Sequence, residues 1–468
     1  SGCSFDIGFD FGFAFGVGFL LIYSDSIKPM SYKKLFSVTE GQHKIISDYY
    51  NRNDFLKFAR QALYEAISEI AGESVTEKVK VYGLDKIHLY FNPDYVPFLQ
   101  FALKKRMNKF LSKQIFNVGK NNLYLGKKNS FYIDQTMNYR IIYPFEVAKK
   151  SQLTRPIYLS LNLENYKNAD KEIINAKIKA KNYPITKSDL NKIKYFRNLP
   201  GPSWGHGPHR DTWFGHTFGA LNLWWSITGV NHENGLVLYP KVTDIEIKHI
   251  KEPAYLAPNQ YLNSPKIIAL KDGDLLVFDP EILHAARLNT SNQTRIVFSG
   301  RINKNKPKFY KRTKADEFAH WFSSKDFTSN IFNKTHFFYK KNNSTIMPKK
   351  KRLNGKNYLE IKIKKGFSRN SKFKLINNKN MSNNKLYKIV FNNMDLCMVI
   401  FNNFPKVFFS KCPHLGINLS DGFLDKKKII CPGHALSFDL NNGKSECQKL
   451  KLKFYKIKKE KNHFFLYT

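Results

Sequence analysis

Cysteine is scarce in this chain, with five in 468 residues. So few exclude a small disulfide-stapled scaffold and suit a reducing compartment, so a cytoplasmic location is expected. A membrane span is missing as well. The apolar stretch Phe9 to Tyr23 is too short, contains Asp10 and is rich in glycine. No basic segment precedes it, which argues against a secretory leader. Residues 1–29 are set apart as an N-terminal extension, because Met30-Ser31-Tyr32-Lys33-Lys34 looks like a natural start. Acidic residues are outnumbered, 37 Asp and Glu against 77 Lys and Arg, for a formal charge of +40. The excess is mostly lysine, spread along the chain among many Asn, Ile, Phe and Tyr, which is the mark of AT-rich coding. No helix-turn-helix, RNA-binding signature or paired Cys/His finger accompanies it, so a nucleic-acid partner is not expected.

Hydrophobic residues at 42% and aromatics at 15% fit a globular chain, long enough for two or three cores. Lys34 to Gly72 shows helical spacing through Phe55, Leu56, Phe58, Ala59, Leu63 and Ala66. Lys78 to Phe91 alternates like strands, and Val96 to Phe116 reads as helix. Strand patterns follow at Tyr139–Phe145 and Pro156–Leu163. From Ala220 to Pro240 and from Asp274 to Ile302, short β-rich runs alternate with turn signals at Asn234-Gly235 and Asp272-Gly273. The chain turns basic after Asn303, and Lys340 to Lys356 has no apolar period, so this part reads as a linker. Within it, Asp316 to Phe327 carries Phe318, Trp321, Phe322 and Phe327 and is expected to pack on the preceding domain. Beyond Tyr358, short strands (YLEIKI, KLYKIVF, LCMVIF, KVFFS) predict a small all-β domain. The expected fold is mainly β with a helical N-terminal part, divided at 1–29, 30–303, 304–356 and 357–468.

Two metal-ligand patterns stand out. His209 and Asp211 lie at i and i+2, so on an extended segment both point to one side. With a remote His284 they make the two-histidine, one-carboxylate set that holds mononuclear Fe(II) and leaves positions open for oxygen and a co-substrate. Arg295, eleven positions after His284 (295−284), is placed to grip a co-substrate carboxylate in a bidentate pair. Near the end of the chain, Cys412-x-His414 is followed after sixteen residues (431−414−1) by Cys431-x-x-His434. Two thiolates and two imidazoles at this spacing hold a 2Fe-2S cluster, one pair on each iron.

The surroundings of the first pattern resemble the phytanoyl-CoA dioxygenase-like branch of the Fe(II)/2-oxoglutarate oxygenases. The matching elements are Gly207-Pro208-His209-Arg210-Asp211, Asn222-Leu223-Trp224-Trp225, Glu233-Asn234-Gly235 and Gly273-Asp274 through Phe278, His284, Asn289 and Arg295-Ile296. Pro240 is followed by Lys-Val-Thr, where the family has Gly-Ser-His. The resemblance implies a double-stranded β-helix, or jelly-roll barrel, over 30–303. It also implies iron on His209, Asp211 and His284, with 2-oxoglutarate held by Arg295. Retention of Asp211 favours hydroxylation or desaturation over halogenation, because related halogenases lack that carboxylate. His206, His216 and His232 lie close by as surplus candidates, and Trp213, Phe214, Trp224 and Trp225 as candidate pocket walls.

The second pattern, with Phe438-Asp439 and Gly443 after it, resembles the Rieske proteins from about Tyr358 to the end. High-potential members carry an extra cysteine in each loop and a serine donor to the cluster. Here those positions are Ile417, Gly433 and Leu436, which implies a potential toward the low end of the Rieske range, roughly −150 mV.

The leading reading is an oxygenase that uses Fe(II), O2 and 2-oxoglutarate on a small molecule, with a fused cluster domain fed by a ferredoxin or flavin reductase. One alternative is a Rieske-type oxygenase driven by NAD(P)H without 2-oxoglutarate. Against it, the domain order is reversed and no Asp-x-x-His-x-x-x-x-His helix lies near the iron site. The other alternative is an electron carrier with an inactive barrel.

Overall fold

The computed structural model describes residues 42–122, 130–148, 207–249, 265–310, 319–326 and 358–468 apart from short gaps, together with strands at 338–339 and 344–345. The extension 1–29, the strand expected at 156–163, most of the linker 340–356, and Phe318 and Phe327 lie outside the described residues.

Helix α1 (Arg52–Ala71) buries Phe55, Ala59, Ala62, Leu63, Ala66 and Ile67, the three- and four-residue spacing of one helical face. Of the helical stretch expected over Lys34–Gly72, residues 34–41 lie outside the described residues, His43–Ile46 is instead strand β1, and helix α1 covers Arg52–Ala71. The strands expected in Lys78–Phe91 are replaced by helix α2 (Glu73–Tyr82) and a 3-10 turn over Leu84–Leu89. The alternation Lys78-Val79-Lys80-Val81 misleads, since Val79 is fully buried while Val81 is 76% exposed. Burial at Thr76, Val79, Leu84 and Ile87 follows helical turns instead. Gly72 and Gly83, at φ 85° and 95°, take the left-handed conformation that ends one helix and starts the next element. Helix α3 (Val96–Asn122) matches the expected helix and extends it by six residues (122−116).

A large sheet follows the order β1, β7 (Leu275–Phe278), β4 (Phe218–Thr228), β9 (Arg295–Tyr310), β2 (Tyr132–Asp134), β10 (Ala319–Ser323) and β11 (Phe338–Tyr339). Strands β3 (Asn138–Ile142) and β12 (Ser344–Thr345) also pair with β9. A small sheet has the order β6 (Lys266–Ile268), β5 (Leu236–Tyr239), β8 (Leu283–Ala286). The two sheets share one core, in which Trp224, Leu276, Phe278 and Val297 of the large sheet meet Leu236, Leu238 and Ile268 of the small one. Strand β9 covers Arg295–Tyr310, and the buried Trp321 and Phe322 of β10 pair with β2 in the same sheet.

The C-terminal part is all β. It comprises a four-stranded sheet of β13 (Tyr358–Lys362), β15 (Leu386–Val390), β16 (Asp395–Phe401) and β17 (Phe404–Phe409). A three-stranded sheet is built from β14 (Lys372–Asn377), β21 (Lys456–Glu460) and β22 (His463–Tyr467). A second three-stranded sheet is built from β18 (Phe423–Asp425), β19 (Lys428–Ile430) and β20 (Ser437–Asp439). Leu396, Met398, Ile400, Val407 and Leu466 fill a core between the first two. Among the described residues, no helix is long and apolar enough to cross a membrane.

Candidate metal centre and cluster loops

Just after Pro208, His209 forms an isolated antiparallel bridge with His284 of β8. Two residues on, the backbone N–H of Asp211 donates to the Pro280 carbonyl at 3.1 Å and a 3-10 turn begins. The three side chains converge. His209 Nε2 and His284 Nε2 lie 3.5 and 3.6 Å from Asp211 Oδ1, and all three groups are buried. They form the one cluster of this kind among the described residues, with ligand atoms within 4.8 Å of one another. Arg210, between the two, points elsewhere and donates to the Val242 carbonyl at 2.6 Å.

Each imidazole is oriented from behind. His209 Nδ1 lies 2.7 Å from the Gly207 carbonyl oxygen and His284 Nδ1 2.9 Å from that of Ile282. A carbonyl only accepts, so both Nδ1 atoms carry the proton and both Nε2 lone pairs face the carboxylate. Phe214 and Phe278 pack edge-on against the two rings, at 5.0 and 5.1 Å between centroids. Burial first, and His209 second, push the His284 pKa down to about 3, so that ring is neutral at physiological pH.

Asp211 uses its other oxygen for support. Oδ2 accepts from Asn222 Nδ2 at 2.9 Å and from Arg301 Nη2 and Nε at 3.1 and 3.3 Å. Burial alone would raise this carboxyl. The Arg301 guanidinium, with His209 and His284, more than offsets that and holds it well below the usual carboxylate range. Arg301 is shared with the buried Asp134 of β2, at 3.4 Å. Asp211, Arg301 and Asp134 therefore stand as a two-anion, one-cation set that leaves Oδ1 free to meet a dication.

The triad opens into a pocket walled by Trp224, Leu236, Phe278 and Ala286. Two further arginines line it, Arg295 and Arg140. Arg295 donates through Nη1 to the Asn234 and Gly235 carbonyls, the latter at 3.2 Å, and its guanidinium carbon lies 5.6 Å from the Trp224 ring centre. Its Nε is buried without a partner among the described residues. Burial and the nearby Arg140 bring its pKa down to about 9. A buried guanidinium with an orphaned donor beside another cation is a site that favours an anion.

Of the surplus histidines, His206 lies outside the described residues and His232 is exposed on a turn. His216 is near Asp211 but not in the cluster, and burial, then Arg301, lower its pKa to about 3. Trp224 lines the cavity, whereas Trp225 faces the other way against Phe55 of α1, 5.6 Å between centroids. Asp134, Arg140 and Arg301 were missed from the sequence. Alternation along β9 would have signalled Arg301, because Arg295, Val297, Ser299 and Arg301 share one face.

The two cysteines of the second pattern sit in loops that close alike. Cys412 N–H donates to the carbonyl of Ile417, and Cys431 N–H to that of Leu436, each five residues on (417−412 and 436−431), at 2.8 and 2.9 Å. Both cysteines are buried and neither is in a disulfide. His414 and His434 lie outside the described residues.

Comparison with known families finds a match to phytanoyl-CoA dioxygenase over residues 152–297 and to the Rieske [2Fe-2S] domain over 371–453. None of the curated proteins compared with the chain matches it. Among solved structures, the complex of reduced oxygenase and oxidized ferredoxin in carbazole 1,9a-dioxygenase is 19% identical. The alignment covers 20% of this chain and 92% of that one, at a TM-score of 0.19. The Sphingomonas yanoikuyae B1 ferredoxin is 22% identical over 21% of this chain and 99% of its own, at a TM-score of 0.20. The ferredoxin of carbazole 1,9a-dioxygenase from Nocardioides aromaticivorans IC177 is 15% identical over 21% and 97%, at a TM-score of 0.19.

Proposed function

We propose that this chain, which joins a phytanoyl-CoA dioxygenase domain to a Rieske [2Fe-2S] domain, is a 2-oxoglutarate-dependent iron oxygenase that carries an electron-transfer module in the same polypeptide. The barrel domain is read as a double-stranded β-helix over 30–303, and the cluster domain as 357–468.

One observation carries the reading: a buried two-histidine, one-carboxylate triad opens into the same cavity as Arg295, whose Nε is unpartnered among the described residues. The donor set suits Fe(II), and a buried guanidinium with an unpartnered Nε suits the distal carboxylate of a keto acid. Iron held by His209, Asp211 and His284 supplies the centre at which oxygen reduction is coupled to decarboxylation of the keto acid and oxidation of a small molecule. The chain's own part is positioning. The Gly207 and Ile282 carbonyls fix the imidazole tautomers, Asn222 and Arg301 fix the carboxylate, and Trp224, Leu236 and Phe278 form the apolar part of a cavity otherwise lined by polar and charged groups. Cys412 and Cys431, with His414 and His434, would hold the cluster, which supplies one-electron reduction.

Anaerobic addition of 2-oxoglutarate to the Fe(II)-loaded protein should produce a metal-to-ligand charge-transfer band, and oxygen should then release succinate. A loaded protein that shows neither effect would sink the proposal. Substrate oxidation that needs NAD(P)H and a reductase but forms no succinate would favour a Rieske-type oxygenase instead.

A further inference from the structure

The small sheet has two faces, and each carries one of the candidate centres. Along the β5–β8 ladder, Leu238 lies opposite His284 and Tyr239 opposite Leu283. Side chains alternate across a strand, so Leu238 and His284 face the barrel interior while Tyr239 and Leu283 face outward. The outward residues are covered by the cluster domain. Trp213, Val237, Tyr239, Leu283 and Ala285 form a single buried apolar group with Phe423 and Ala435.

Polar contacts fix the register of that packing. The Tyr239 hydroxyl donates to the carbonyl of Pro432, the residue bonded to Cys431, at 2.9 Å, and both residues are buried. Arg287, just past β8, makes a largely buried ion pair with Glu446, which also accepts from Ser437 Oγ at 3.1 Å. Leu288, fully buried, sits in the same apolar core as Cys412 and Cys431. Three consecutive features of the chain, β8, Arg287 and Leu288, thus tie the iron strand to the cluster loops.

We infer that the cluster domain is docked on the outer face of the ladder whose inner face bears His284, and that Tyr239 is the positioning residue joining the two centres. This rests on the iron and cluster assignments above. Its consequence is that the immediate reductant of the barrel iron lies within the same chain. From the Cys431–Pro432 peptide, a connected route crosses the Tyr239 hydrogen bond, enters β5 and passes through the cross-strand pairing to His284. With a cluster on the cysteine loops and ferric iron on the triad, this packing would let one electron pass from the reduced cluster, leaving it oxidised, to the ferric ion, leaving it ferrous. A one-electron carrier protein of the ferredoxin or flavin class recharges the cluster.

The test uses the full chain with its cluster reconstituted and its barrel loaded anaerobically with Fe(II) or, as a diamagnetic control, Zn(II). Metal content is measured in each sample, the cluster is reduced with dithionite, and the power saturation of its EPR signal is recorded. A docked domain predicts faster relaxation next to paramagnetic Fe(II), so that saturation requires several-fold more power than with Zn(II). Tyr239→Phe should keep that difference, because the ring still packs. It should nonetheless slow several-fold the single-turnover oxidation of the reduced cluster by ferric iron in the barrel. Identical saturation with iron and zinc bound overturns the docking alone. An unchanged rate in Tyr239→Phe overturns the role of that residue. A triad that takes up neither metal overturns this inference together with the iron assignment beneath it.

Discussion

His209 and His284 exchange both of their backbone hydrogen bonds, N to O at 2.9 Å in each direction. Seventy-five positions apart (284−209), they are directly opposed on two strands, with ring centroids 4.3 Å apart. The spacing of the two imidazoles is thus set by main-chain pairing, before any ion arrives. Preorganisation of this kind lowers the entropic cost of gathering ligands.

Support of Asp211 should matter nearly as much as Asp211 itself. Asn222→Ala removes one of the donors to Oδ2, and it is expected to weaken Fe(II) binding about 10- to 100-fold. An anaerobic Fe(II) titration would show this, and an unchanged affinity would contradict the orienting role.

Arg301→Met leaves Asp211 and Asp134 buried without their shared cation. Losing one partner of such a set costs about 3–5 kcal/mol. A chemical-denaturation midpoint that hardly moves in the metal-free protein would show that the network is not holding the barrel.

Arg295→Gln should leave Fe(II) binding in place and weaken 2-oxoglutarate binding by about 2–5 kcal/mol, the loss expected when a buried charged partner is truncated. Arg295→Lys should recover only part, since a point charge cannot reproduce a planar fork. Charge-transfer titrations of both variants provide the check.

His88 gives the metal-free protein an acid-sensitive element. Its Nδ1 lies 2.9 Å from Thr294 Oγ1, and burial, then Lys86, lower its pKa from 6.5 to about 4. A base whose pKa is depressed on folding gains its proton more readily when unfolded. The stabilisation is therefore complete above pH 6.5 and declines as pH falls toward 4. His88→Gln should flatten the pH dependence of the unfolding midpoint in that window.

Cluster potential offers a separate check. Ile417 and Leu436 stand at positions that carry cysteine and serine in high-potential relatives, and both lend backbone carbonyls to close the cysteine loops. A redox titration should place the midpoint near the low end for such clusters, roughly −150 mV.

Much of the His209–Asp211–His284 cluster was legible because His209 and Asp211 are two positions apart, close enough for both side chains to meet His284. The alternation over Ala220–Pro240 and Asp274–Ile302 marked strands β4, β5, β7, β8 and the start of β9 in the same short-range way. Lys78 to Phe91 was misread, because four alternating residues cannot outweigh the helical burial that tertiary packing imposes. Asp134 and Arg140 come from strands that precede the triad by many residues, and only the pairing of β2 and β3 with β9 brings them in. Nor does spacing along the chain reveal that Tyr239 meets Pro432, since 193 positions separate them.

Leu288 belongs by sequence to the barrel and by packing to the domain that follows. Cutting the polypeptide between 311 and 357 would therefore not yield two self-sufficient halves. One fragment would be left with a greasy stub and the other with a matching hollow. Coexpressed pieces would be expected to bury that side chain again only by coming back together.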